Sequence, residues 1–130
     1  MLLQSGTAFF PDLLDRIDSA IQSVRVELYL VESGNCATAV FDALCAAAER
    51  SVRVEVLLDA VGSKKLNEKD RARLTRSGAS LRVFNSLFPH PGLDDLKRDH
   101  RKIIVIDDRT AYVGGACITD GFWDPARNVS

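Results

Sequence analysis

The sequence predicts an α/β fold in which a mixed β-sheet is flanked by helices on both faces. Helical periodicity and strand-like runs alternate along most of the chain. The run Val52–Leu58 is almost continuously apolar, which is typical of a central strand covered on both faces. It follows a strand and a helix, and this order favours a right-handed parallel unit, whereas the last two β-rich runs can form an antiparallel hairpin.

Periodicity and chain breakers predict the elements of the first half. Apolar residues recur at helical spacing around Pro11, which predicts a helix over residues 10–22 with acidic residues in its first turn. Residues 24–31 alternate and are rich in β-formers, so they are predicted to form strand one. Asn35 is expected to cap a second helix over residues 36–50. The apolar run described above then forms strand two.

The second half contains weaker signals. Residues 64–77 favour a helix with few apolar positions, so we expect a surface helix that ends before a glycine. Residues 81–84 predict a short strand. Residues 86–99 contain two prolines and a glycine, and a connection of this length in a compact domain is typical of a loop over a functional site. Residues 101–107 and 111–118 predict two strands of a hairpin.

Composition limits the class of protein. The 130 residues are 46% hydrophobic and 27% charged, which predicts one soluble globular domain over residues 1–130. No apolar run approaches the ~20 residues of a membrane-spanning helix, and the first ten residues lack the basic start of a secretory signal. Three cysteines without a C-x-x-C pair argue against a disulfide framework and a zinc cluster. We therefore expect a cytoplasmic protein, with surface attachment to the inner membrane left open.

The net charge of −1 conceals a strong asymmetry. Residues 1–63 carry a net −5, residues 64–102 carry 11 Lys and Arg against 5 Asp and Glu, and residues 103–130 carry a net −2. A basic middle segment is attracted to anionic partners such as phosphate groups, lipid headgroups or nucleic acid. A solvated helix face explains the first part of this segment equally well.

The residues that carry chemistry lie at the end of the basic segment. His100, Lys102 and Asp107 are followed by Gly114-Gly115, in the order H-x-K-x-x-x-x-D-x-x-x-x-x-x-G-G. Because alternate residues of a strand share a face, His100 and Lys102 should point the same way, while Asp107 should lie at the turn and fix its geometry.

Hairpin pairing extends this expectation. If the turn centres on Asp108 and Arg109, then Lys102 faces Gly115 and His100 faces Cys117. Lys102 would supply a positive charge for a phosphate oxygen, and Gly115 would leave room for the phosphate to approach. The thiol of Cys117 would lie beside them.

This pattern resembles the signature of the phospholipase D superfamily, in which H-x-K-x-x-x-x-D is followed by G-G or G-S, a spacer residue and Asn. The His-Arg-Lys form and the strand–helix–strand before it look most like bacterial cardiolipin synthases. The resemblance covers nearly the whole chain, including the turn at residues 59–63, but only the N-terminal half of a two-motif enzyme. Cys117 stands where the family has a phosphate-binding Asn.

The resemblance implies a phospholipase D-like α/β half-domain and an activity. The expected reaction is phosphatidyl transfer between phosphatidylglycerol-like lipids through a phosphohistidine, without metal or other cofactor. His100 would act as nucleophile or acid, with Lys102, Asp107, Gly115 and Cys117 completing the catalytic and phosphate-binding set.

One motif is half of what this chemistry needs. Cleavage of a phosphodiester requires a nucleophile and, on the opposite side of phosphorus, an acid, and a single imidazole cannot serve as both. His90 lacks the surrounding pattern. The second histidine would come from a homodimer partner or a missing C-terminal half. Two alternatives remain: a homodimeric phosphodiesterase acting on nucleic acid, and a phosphate-binding half-domain without turnover.

Three further polar residues are weaker candidates. Glu27 and Tyr29 share one side of strand one, and Asp59 ends strand two, where crevices open in α/β sheets. Each is more simply explained by a buried network or a capping role. Trp123 is expected to pack rather than to bind a partner.

Overall fold

The computed structural model describes residues 6–84, 102–114, 118–121 and 123–126. The elements, in chain order, are α1 (Gly6–Asp18), β1 (Ser23–Leu28), α2 (Asn35–Glu49), β2 (Arg53–Asp59), α3 (Glu68–Arg76), β3 (Ser80–Phe84), β4 (Lys102–Ile106) and β5 (Thr110–Gly114). The predicted loop over residues 86–99 lies outside the described residues.

The strands form one sheet in the order β3-β2-β1-β4-β5. β1 pairs with β2, and β2 with β3, in parallel, as the helical crossovers between them require. β4 pairs antiparallel with both β1 and β5. The predicted mixed α/β sheet is confirmed, and the central strand β1 joins its parallel and antiparallel halves.

The expectation of helices on both faces is wrong for the described part of the chain. Along β1, Val24, Val26 and Leu28 are buried, while Arg25 is exposed and Glu27 is half-buried. The three helices pack side by side, α1 on α2 and α2 on α3, over the apolar face. The other face is an open groove with charged residues of β1, β2 and β3 in its lining. The interpretation of β2 as a continuously apolar strand was wrong, because Arg53 and Glu55 interrupt the run and are exposed, while Leu57 is half-buried on the same open face.

Both ends of α1 differ from the prediction. The helix begins four residues earlier and contains Pro11 in its interior, so it lacks one backbone donor there. It ends at Asp18, because the backbone N–H groups of Ile21 and Gln22 donate to the carboxylate of Asp107 rather than continuing the helix. The predicted end at residue 22 is therefore wrong.

The cap of α2 comes from a distant part of the chain. Asn35, the predicted cap, is the first helical residue, and its side chain donates to Asp124 at 3.0 Å. The carboxylate of Asp120 instead accepts the backbone N–H of Cys36 at 2.7 Å. The local cap prediction is wrong because a residue 84 positions away fills the role.

The next helix and strand follow the prediction closely. α3 begins later than expected, where the side chain of Asn67 accepts the N–H of Asp70. It stops before Gly78, whose positive φ of 103° is a conformation that glycine adopts without a steric penalty. β3 follows at the predicted place.

The hairpin exists as predicted, but its register differs by one residue. Ile106 pairs with Thr110 across a three-residue turn, so Lys102 pairs with Gly114 and not with Gly115. Asp107 and Asp108 both have φ near 55°, a left-handed conformation that Asp tolerates better than most residues. The turn contains one residue more than predicted, so every pair of the hairpin is shifted by one residue. The glycine expected opposite Lys102 is present, and it is the first of the two.

No helix in the described part of the chain is long and apolar enough to cross a bilayer.

Candidate functional site

Lys102 is the residue of the sequence motif around which the structure describes the candidate site. It begins β4, between Leu28 on β1 and Gly114 on β5. Its alternation with Ile104 and Ile106 directs it toward the helix-covered face, as expected from strand geometry. Only 4% of the residue is exposed. A lysine is almost never this buried unless its ammonium is stabilised.

Aromatic residues of α1 and β5 surround this ammonium. The Nζ atom lies 3.5 Å from the centroid of the Phe9 ring. Tyr112 packs edge-on against Phe9, and its hydroxyl donates to the carboxylate of Asp12. Burial and this hydrogen bond raise the pKa of Tyr112, so the phenol keeps its proton. The site is therefore a cation held by an aromatic wall at the end of a strand.

Asp107 has the positioning role predicted for it. Its carboxylate accepts the backbone N–H groups of Ile21, Gln22 and Ser23, at distances of 2.7 to 3.2 Å. Its own backbone N–H donates to the carbonyl of Ser23 at 2.8 Å. The backbone donors of Gln22 and Ser23 hold the pKa of Asp107 below its usual range. Asp107 lies at the opposite end of β4 from Lys102 and anchors that strand to the start of β1.

The other predicted site residues are only partly visible. His100, Gly115 and Cys117 lie outside the described residues, as does His90. Glu27 pairs with Ile103 on the open face of the sheet, opposite to the face of Lys102, so the structure separates these two side chains.

Asp59 belongs to a buried hydrogen-bond network in the turn after β2, as one of its two simpler interpretations predicted. It is 1% exposed and accepts the N–H of Gly62 at 2.7 Å. A Cβ on Gly62 would lie 1.8 Å from the carbonyl oxygen of Tyr29, so this turn packs directly on the end of β1 and requires glycine. Trp123 stacks on Phe10 at 5.0 Å between ring centroids, which confirms its packing role.

Cys36 is an inert core residue. Burial, with the charges of Asp120 and Asp124 nearby, raises the pKa of its thiol to about 12. The reactive thiolate form is therefore absent near neutral pH.

Sequence reasoning missed the aromatic residues beside Lys102. Tyr112 carries a usable signal, because it lies two residues before Gly114 and therefore on the same face of β5. Phe9 carries none, since its contact with Lys102 depends on where α1 packs across the sheet.

This arrangement can bind an oxyanion. The ammonium is a point charge with donors for phosphate oxygens, and its burial strengthens any such pairing because solvent screens it less. The residues that the structure describes contain no group of three or more His, Cys, Asp or Glu side chains that could hold a metal ion.

Comparison with known proteins identifies the family of the chain. The family model described as "Cardiolipin synthase, PLD-like domain" matches residues 13–129. Cardiolipin synthase B of Salmonella typhimurium is 38% identical over 119 residues, covering 88% of this chain and 28% of that protein. A cardiolipin synthase of Clostridium perfringens is 28% identical over 125 residues, covering 95% of this chain and 26% of that protein. The chain thus spans under a third of these relatives.

Solved structures show the same fold. The phospholipase D family member Nuc from Salmonella typhimurium superposes with a TM-score of 0.64 at 25% identity, over 88% of this chain and 68% of that one. NucT from Helicobacter pylori gives a TM-score of 0.66 at 19% identity, over 88% and 70% of the two chains, and supports the fold alone. With its mixed sheet and the family match over nearly its whole length, this chain belongs to the phospholipase D-like domain family of the cardiolipin synthases.

Proposed function

We propose that this chain is one catalytic half of a phospholipase D-type phosphatidyltransferase that acts as a cardiolipin synthase. The observation that carries the proposal is the buried ammonium of Lys102, two residues after His100, in a chain whose family match is to cardiolipin synthases. The substrate is a phosphatidylglycerol-like lipid, and the charge of Lys102 is placed to bind its phosphate.

The reaction has two steps. In the first, an imidazole nitrogen of His100 forms a bond to phosphorus, the bond from phosphorus to the glycerol oxygen breaks, and a second histidine protonates that oxygen. In the second, the hydroxyl of another lipid molecule attacks the phosphohistidine, the P–N bond breaks, and the second histidine takes the hydroxyl proton. Lys102 stabilises the charge on the non-bridging phosphate oxygens.

The second histidine belongs to a second copy of the motif, in addition to the one in this chain. A homodimer partner supplies it by symmetry, or the remainder of a longer protein supplies it. Two relatives more than three times as long as the matched region support the second source. The lipid substrate also implies peripheral contact with a membrane surface, to which the basic segment is suited.

Trapping of the covalent intermediate tests the proposal. The chain is incubated with phosphatidylglycerol labelled in its phosphate, alone and joined to a second motif, and acid-labile phosphate on the protein is measured. We expect labelling that His100→Ala abolishes and that the matched control His90→Ala retains. Equal labelling of the wild type and His100→Ala would contradict the mechanism. Sedimentation of the chain alone distinguishes the dimer from the missing half.

A phosphodiesterase acting on nucleic acid is the second candidate. It is favoured by the similarity to Nuc and by the basic charge of residues 64–102. If it is correct, the His100-dependent label arises from an oligonucleotide and not from lipid. Phosphate binding without any label in a confirmed dimer would instead indicate a non-catalytic half-domain.

A further inference from the structure

Phe9 covers the ammonium of Lys102 with its ring face. The Nζ atom lies 3.5 Å from the ring centroid, and both residues are 4% exposed. The π-face of an aromatic ring carries partial negative charge, so it attracts a cation, and the attraction grows when water is excluded. The contact therefore stabilises a positive charge in a place where burial alone would disfavour it.

Two neighbours hold the Phe9 ring in this orientation. Phe10 meets it edge-on at 4.9 Å and 78°, and Tyr112 meets it edge-on at 5.4 Å and 87°. Tyr112 is itself fixed by its hydrogen bond to Asp12. The ring of Phe9 is therefore held by contacts from two elements, α1 with Phe10 and Asp12, and β5 with Tyr112.

An aromatic ring and a carboxylate would stabilise this lysine with different consequences. A carboxylate would neutralise the ammonium and compete with a phosphate for it. A ring has no net charge, so its contact restricts where the ammonium lies without itself neutralising the ammonium or competing with a phosphate for it.

We propose that Phe9 is a positioning residue that holds the ammonium of Lys102 for phosphate binding through its ring face. The inference rests on the proposed function, because it assigns to Lys102 the binding of the substrate phosphate. It extends the site to α1, which lies outside the sequence motif.

Binding of inorganic phosphate to the chain, measured by calorimetric titration, tests this proposal. Phe9→Leu removes the ring face but keeps an apolar side chain, and we expect the affinity to fall about tenfold. Trifluorophenylalanine at position 9 keeps the shape of the ring and weakens its negative face, so it should lower the affinity even if Phe9→Leu folds poorly. The proton resonances of the Lys102 side chain should lose their ring-current shift in Phe9→Leu and keep it with the fluorinated ring.

Position 41 provides the matched control. Phe41 is as buried as Phe9 but belongs to α2 rather than to α1 or β5, so trifluorophenylalanine there should leave phosphate affinity unchanged. Lys102→Met separates the two proposals. If Lys102→Met abolishes binding while both changes at position 9 leave it intact, the role of Phe9 is refuted and the proposed function survives. If Lys102→Met binds phosphate as tightly as the wild type, the phosphate-binding role of Lys102 fails, and the inference fails with it.

Discussion

The carboxylate of Asp107 joins three parts of the molecule through a few hydrogen bonds. It accepts backbone donors from the segment that links α1 to β1, while its own backbone closes the turn between β4 and β5. A charged acceptor facing several N–H groups is stronger than a neutral one. The motif aspartate therefore fixes β4 at the end opposite to Lys102.

The lowered pKa of Asp107 predicts acid sensitivity. Because the folded state favours the carboxylate, its stabilising contribution is complete above the ordinary pKa of about 4 and is lost as the pH falls through the lower folded-state value. Asp107→Asn should be less stable than the wild type at pH 7 and should lose less stability on acidification. Thermal unfolding between pH 7 and pH 2 measures this.

Asp108→Asn is the control for that measurement. It removes an exposed carboxylate from the same turn, one that faces the guanidinium of Arg25 at 3.6 Å. Its acid profile should follow that of the wild type. An Asp107→Asn profile parallel to the wild type would show that the backbone donors do not depend on the charge.

At the scale of elements, α2 illustrates capping across a long stretch of chain. Asp120 accepts the N–H of Cys36 and lies close enough to Gly34 that a Cβ there would be 2.6 Å from its carboxylate. An acid at a helix N-terminus also interacts favourably with the helix dipole. The segment that follows β5 is thereby tied to the first turn of a helix that begins 85 residues earlier.

This arrangement predicts that Asp120 stabilises α2 more than Asn35 does. Asp120→Ala should lower the free energy of unfolding by about 1 kcal/mol, as for loss of an N-cap. Asn35→Ala should cost less, because its side chain makes an exposed contact with Asp124. Urea denaturation of the two variants measures the difference, and a larger loss for Asn35→Ala would restore the local cap inferred from sequence.

The sequence was sufficient to predict the elements that depend on local patterns. The strands, α2, α3 and the stop at Gly78 follow from alternation, periodicity and glycine, and each lies near its predicted place. The errors involve long-range contacts: the end of α1 depends on Asp107, and the α2 cap depends on Asp120. The hairpin register depends on two left-handed aspartates, which no hydrophobic pattern encodes.

For the candidate site, the motif led directly to Lys102 and correctly gave Asp107 a role at the turn. It could not indicate Phe9, because the packing of α1 over β4 and β5 brings that ring to the lysine. A glycine lies opposite Lys102, as predicted, but it is Gly114 and not the adjacent Gly115.

At the scale of the whole molecule, the sheet has unequal faces. The three described helices cover one face, and the opposite face presents half-buried apolar residues among charges, including Leu57, Ile103 and Val105. Val113, on the same face of the edge strand β5, is 77% exposed. The buried motif lysine and the open groove thus lie on opposite sides of the same strands.

The position of β4 has a consequence for the order in which this molecule opens. β4 pairs with β1 across about 80 residues of sequence, whereas β1, β2 and β3 are joined by short helical crossovers. The entropic cost of closing the loop is therefore largest for the pairing of the β4–β5 hairpin with β1. We expect the hairpin to be a separate cooperative unit, with amides of β4 and β5 exchanging with solvent faster than those of β2. Native-state hydrogen exchange measures this, and uniform protection across all five strands would contradict it. A brief rise in temperature would then separate the ammonium of Lys102 from the ring of Phe9 while the helices remain folded.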